Sequence, residues 1–182
     1  MDFISSYQPR NQQEMKRILG GVVAMLQHRS PCVVMSAISV ISNQLPSISN
    51  EQVRRQFCMR AAPSLISLLS SETEIQYVTL KTVSMILQLD IPIIDEEDMR
   101  EFFVNVSDQL YIKREKLEIL CLMADDSNVD IILNEIREYV SAVDIDFIQL
   151  CVALIGRLAL KLPESSNKCV QALSDCLAQK SG

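Results

Sequence analysis

IDFIQLCVALIGRLALKL, the stretch from Ile145 to Leu162, decides the fold. Ile145, Ile148, Val152, Ile155, Ala159 and Leu162 step through it by threes and fours without a miss, the period of one face of an α-helix. Working outward, Ile75, Val78, Thr82, Met85 and Leu89 step likewise, while Lys81, Ser84 and Gln88 fall off the stripe. Start signals stand where such runs need them. Ser30-Pro31 offers a cap followed by proline at the first helical position, and Ser71 with Glu74 fits a capping box. Asp108, Ser127 and Asp144 each precede an apolar run and can cap it.

These signals predict an all-α chain of about nine helices, at roughly 11–28, 31–45, 50–69, 73–89, 95–104, 109–124, 128–141, 145–162 and 164–180. Pro63 is expected to break or kink the third, because it lacks an N–H and its ring clashes with the preceding turn. Gly20-Gly21 weakens the first helix, and close helix packing would account for the pair. Connections are short throughout, so residues 1–182 read as one continuous unit.

The helices repeat. Val34, Tyr77, Tyr111 and Phe147 lie early in alternate helices at separations of 43, 34 and 36 residues, within the range of two-helix solenoid repeats. Positions one residue on (Met35, Val78, Ile112, Ile148) and six residues on (Val40, Val83, Leu117, Ala153) carry the pattern forward. A two-helix unit cannot bury its apolar face alone, so stacking on neighbours builds the core. Tyr77 and Tyr111 read as core fillers with a wet hydroxyl rather than ligand contacts.

Composition narrows the function. The 182 residues are 48% hydrophobic and carry a net charge of −6, which supports a packed interior and argues against nucleic acid as a partner. Four glycines and six prolines are too few for a turn-rich β-sandwich. The longest uncharged stretch, Ser30 to Asn50, holds too many polar residues to span hydrocarbon. Cys32, Cys58, Cys121, Cys151, Cys169 and Cys176 form no C-x-x-C pair; they read as buried reduced thiols, Cys169 and Cys176 on one helix face, in a cytosolic protein.

No catalytic, cofactor or metal site emerges. His28 is the only histidine, which excludes a multi-histidine metal site or a histidine-based triad; it reads as a cation at a helix C-terminus. The acidic run Asp95 to Asp98 lacks the glycine and alternating ligands of a Ca²⁺ loop and suits a helix N-terminus. Lys113, Arg114 and Lys116 could meet an anionic membrane or acidic partner, but a solvated face with pairs such as Arg114 to Glu118 is the plainer reading. Arg54, Arg55 and Arg60 form a second basic patch with the same balance.

The repeat starts also carry a signature. SSETEIQYVTLK (Ser70–Lys81), EFFVNVSDQLYIKREKLEIL (Glu101–Leu120) and ILNEIREYVSAVDIDFIQLCVALIGRLALKL (Ile132–Leu162) resemble the β-type large subunit, β-adaptin, of clathrin-adaptor and related coat complexes. SSYQPRNQQE (Ser5–Glu14) and LQHRSPCVVMSAISVI (Leu26–Ile41) extend the resemblance over nearly the whole chain. Tyr7-Gln8-Pro9-Arg10, Val33-Val34-Met35 and Leu120-Cys121 lean to the fourth, non-clathrin class.

The resemblance implies a right-handed α-α superhelix of the HEAT/armadillo kind, here one segment of a longer trunk. The amino-terminal trunk, hinge and ear of the family are expected to lie outside it. It implies a non-enzymatic scaffold without cofactors that supports cargo sorting in vesicle-mediated transport. Its partners would be the medium, small and other large adaptor subunits. Membrane association would be peripheral, through the complex, on Golgi, endosomal or plasma-membrane coats. In the family's closed state the β trunk covers the medium subunit's pocket for tyrosine-based signals. By resemblance that contact maps to the turn after the seventh helix, at Val143 between Ala142 and Asp144. The alternative is an armadillo/HEAT receptor of soluble peptides or a regulatory scaffold; the absence of tryptophan weakens its importin-like version.

Overall fold

The computed structural model describes residues 7, 11–48, 50–91, 93–95, 97–140 and 144–180. Among these residues it contains eight α-helices and no strand. They are α1 (Gln12–Val23), α2 (Pro31–Gln44), α3 (Glu51–Leu68), α4 (Thr73–Leu87), α5 (Leu110–Met123), α6 (Val129–Val140), α7 (Ile145–Lys161) and α8 (Ser166–Lys180). Short 3₁₀ turns follow α1 and α2, precede α8, and span Asp98–Phe102. The chain is all-α and of the HEAT/armadillo-like class.

Two compact units divide it, Met1–Asp95 and Glu96–Gly182. In the first, α1 packs on α2 and α3, α2 on α3 and α4, and α3 on α4. In the second, α5 packs on α7, α6 on α7 and α8, and α7 on α8. Contact with the next helix and the next but one is the rule of a two-layer helical repeat. Long-range hydrogen bonds keep the same period. Ser64 Oγ donates to the Leu26 carbonyl, 38 residues back, and Lys168 Nζ to Asp130, also 38. Arg157 holds Glu118 and Ser165 holds Asp126 across 39 residues each.

The repeat is therefore physical, but the apolar faces are turned from their expected phase. On α7 the buried set is Phe147, Ile148, Cys151, Leu154, Ile155 and Leu158, continued by Leu162. Ile145 and Val152, expected inside, are 65% and 42% exposed. Because α7 packs on three helices, its buried arc is wide and swings toward Phe147 and Leu154. On α4 the expected stripe is the wetter side: Val78 and Met85 are exposed while Thr79, Leu80, Val83, Ser84 and Ile86 are buried. Thr79 tolerates burial because its hydroxyl donates to the Ile75 carbonyl at 2.7 Å. Tyr111 is 47% exposed, so it fills no core; Tyr77 is half-buried with Lys81 over its ring.

Local signals fared unevenly. α3 runs unbroken through Pro63, because Phe57, Cys58, Ala61, Leu65 and Leu68 keep their buried phase across it. A Cβ added at Gly20 or Gly21 would meet nothing within 4 Å, so close packing does not explain the pair. The helix expected at 95–104 is only the 3₁₀ turn Asp98–Phe102. Its three-residue period stacks Met99 over Phe102, 2% and 0% exposed, so one short turn buries both anchors. Asp98 consequently opens a 3₁₀ turn and not the expected α-helix.

Capping differs too. Asp144 caps α7 as expected, accepting from the backbone N–H groups of Asp146 and Phe147. The cap residue of α4 is Glu72 without a side-chain bond, which replaces the Ser71–Glu74 box. Asp108 does not cap α5; its carboxylate accepts from the Asn105 N–H and from Lys116. At the start of α6 the acceptor is Asp125, bonded to the N–H groups of Ser127 and Asn128, in place of Ser127. Those bonds hold the Asp125 carboxyl below its usual range, the Ser127 hydroxyl contributing most.

Candidate functional site

Val143, the residue expected to contact a partner, lies outside the described residues, with Ser141 and Ala142. The structure does place the residues on either side of these three. On the α6 side, Val140 and Tyr139 are buried. The Tyr139 hydroxyl accepts the Val104 N–H at 2.6 Å, and its ring packs on Phe147 at 5.6 Å with a 43° tilt. Burial pushes the Tyr139 phenol well above its usual range, so it stays protonated and neutral. On the α7 side, the Asp144 cap fixes the helix start, and the Lys113 ammonium sits 4.6 Å from the centre of the Phe147 ring. The end of α6 and the start of α7 are thus held by Tyr139, Phe147 and Asp144. Ile145 beside Asp144 is the exposed apolar group that the sequence stripe hid. Its position at the first turn of α7, next to the cap, was the available signal.

The basic cluster on α5 does not form a patch. Arg114 is exposed, but Lys116 is 1% exposed, and its ammonium donates to Asp108 at 2.8 Å and to the Phe103 carbonyl at 3.0 Å. Glu118 forms its fork with Arg157 of α7 instead of Arg114. Lys161, also on α7, donates to the carbonyls of Cys121, Leu122 and Ala124, satisfying the open end of α5. These cations hold helices together. His28 follows the 3₁₀ turn after α1, but its Nδ1 accepts the Ser30 N–H at 3.0 Å. That bond ties the end of the 3₁₀ turn to the start of α2.

Five of the six cysteines are buried; Cys32 is exposed, contrary to expectation. Burial pushes the Cys58 thiol up to about 11 and Cys151 up to about 12, and raises Cys121, Cys169 and Cys176 as well. Near pH 7 these five are thiols, which are poor nucleophiles and poor metal ligands. No group of three or more His, Cys, Asp or Glu among the described residues could hold a metal ion. No described helix is long and apolar enough to cross a membrane.

Stacked helix pairs, tied one repeat apart by Arg157, Lys161 and Lys168, define a helical-repeat protein of the HEAT/armadillo class. The chain belongs to the adaptin family: the family's model described as the adaptin N terminal region matches residues 1–182. It is 37% identical over 180 residues to the AP-1 complex subunit beta of Dictyostelium discoideum. It is 35% identical over 181 residues to the AP-1 complex subunit beta-1 of Mus musculus, and 32% over 181 to the AP-2 complex subunit beta of Schizosaccharomyces pombe. Each alignment takes in 99% of this chain, but only 19%, 19% and 27% of the respective relative. The likeness to β-type large subunits read from the sequence is borne out by these relatives.

Proposed function

We propose that this chain is one segment of the β trunk of a vesicle-coat adaptor complex, and that it works without catalysis as a scaffold for cargo sorting. The observation that carries this reading is the match to β subunits of two adaptor complexes along 99% of the chain. Its partners are the medium, small and other large adaptor subunits, and it reaches Golgi, endosomal or plasma membranes only peripherally, as part of that assembly. Val143 is the proposed contact over the medium subunit's signal pocket. Support comes from the exposed Ile145 at the start of α7, two residues on. Co-expression of the full chain with medium, small and large subunits of each adaptor class tests the reading. Recovery of a stoichiometric assembly with one class is the expected result, and also reports the class. Failure with every class, together with capture of soluble peptides, would favour the rival peptide-receptor reading.

A further inference from the structure

Within the second unit a groove of about 360 Å³ runs between α6 and α8. Asp130, Leu133, Asn134 and Arg137 line it from one face of α6, and Asn167, Lys168 and Gln171 line it from α8. An ion pair stands toward each end. Lys168 meets Asp130 at 2.7 Å and Arg137 meets Asp175 at 3.3 Å, each pair 38 residues apart, so the two helices run parallel and in register. Every charge that lines the groove thereby has its partner, and what remains is amide chemistry on both walls. Two of the three carboxamides are oriented by a neighbour. Asn134 Oδ1 accepts from Arg137 Nη1 at 3.0 Å, which leaves its NH2 as the open donor. Gln171 Nε2 donates to Asp175 Oδ1 at 2.9 Å, which leaves its Oε1 as the open acceptor. One wall thus offers a donor and the facing wall an acceptor. Leu133, 2% exposed, supplies an apolar floor.

We propose that this groove binds an uncharged peptide segment, in extended conformation, through its main chain. In a trans peptide group the C=O and the N–H point to opposite edges. A strand laid along the groove therefore turns a carbonyl toward Asn134 and an N–H toward Gln171. From Asp130 to Arg137 the helix rises about 10 Å, which three extended residues span at about 3.3 Å each. Alternate side chains of such a strand face Leu133 and solvent, so recognition calls for an apolar residue between polar ones. A charged segment gains nothing, because the lining charges are already paired. The site needs no other subunit, so this proposal and the scaffold reading fail on separate measurements.

Side-chain amide resonances of the ¹⁵N-labelled full chain report on the groove directly. Titration with acetyl-Ser-Val-Ser-Val-Ser-amide should shift the NH2 signals of Asn134, Asn167 and Gln171, saturating below about millimolar peptide. The same peptide N-methylated at its internal residues keeps every side chain and loses main-chain donors; it should bind about ten-fold more weakly or worse. The Asn134→Leu, Gln171→Leu double variant should show a similar loss with little change in its melting curve, since both residues are exposed. Replacing the peptide's serines by lysines should bring no gain. No shift at about millimolar peptide, equal binding of the N-methylated form, tighter binding of the lysine form, or indifference to the double substitution would overturn the proposal.

Discussion

Lys116 shows how far one side chain can depart from its neighbours. It stands in the charged run Lys113 to Glu118, yet its place between Ile112 and Leu120, at four-residue spacing, puts it on the buried face. Its ammonium needs partners there, and Asp108 and the Phe103 carbonyl supply them. Removing Asp108 would leave a buried, uncompensated charge and free the Asn105 N–H. Asp108→Ala should therefore cost about 3–5 kcal/mol, whereas Asp108→Ala combined with Lys116→Met should cost much less, because no buried charge is then left without its partner. Urea unfolding of both variants checks this; equal losses would mean that the pair is solvated. Gly20 gives the opposite sign. It lies in α1, and a methyl group there would touch nothing within 4 Å. Gly20→Ala should raise stability by about 0.5–1 kcal/mol through helix propensity alone, read from the same unfolding curves.

At the scale of the element, existence was legible and phase was not. Caps, proline and three-to-four spacing located the helices because these are local signals. Phase depends on which neighbours a helix meets, and that follows from stacking. On α7 the residues Ile148, Ile155 and Leu162 satisfied both the expected stripe and the real one, while Ile145 and Val152 satisfied only the first. A paired substitution separates the two. Ile155 is 0% exposed, so Ile155→Ala should cost about 2–5 kcal/mol. Val152 is 42% exposed, and Val152→Ala should cost less than about 1 kcal/mol by denaturant unfolding. Similar losses at both would restore the expected stripe. The segment at 98–102 was misread for a related reason: two buried anchors three residues apart fit a 3₁₀ turn as well as a helix. Lys116 and Tyr139, which brace the chain that follows it, act from distant positions that no local window contains.

For the whole molecule, the recurrence of hydrogen bonds one repeat apart makes stability a sum of neighbouring terms. A turn residue can then be altered with little effect on the stacked helices. The candidate site was legible only through resemblance: no charge, motif or spacing distinguishes Val143, and a contact made in an assembly leaves no signature in a single chain. The proposed contact nonetheless has a sharp consequence. If Val143 helps to cover the medium subunit's signal pocket, Val143→Asp must place a carboxylate, next to Asp144, in an apolar environment. The covered state loses stability, and the fraction of complexes open to a tyrosine-based signal rises. Apparent affinity for a signal peptide is limited by that fraction. If about a tenth of complexes are open in the wild type, the gain can reach about ten-fold and no more. Peptide titration of the assembled complex measures it, with the melting curve of the chain as the fold control. An intact fold with unchanged peptide affinity would move the contact away from Val143 and leave the scaffold reading to stand on subunit assembly alone.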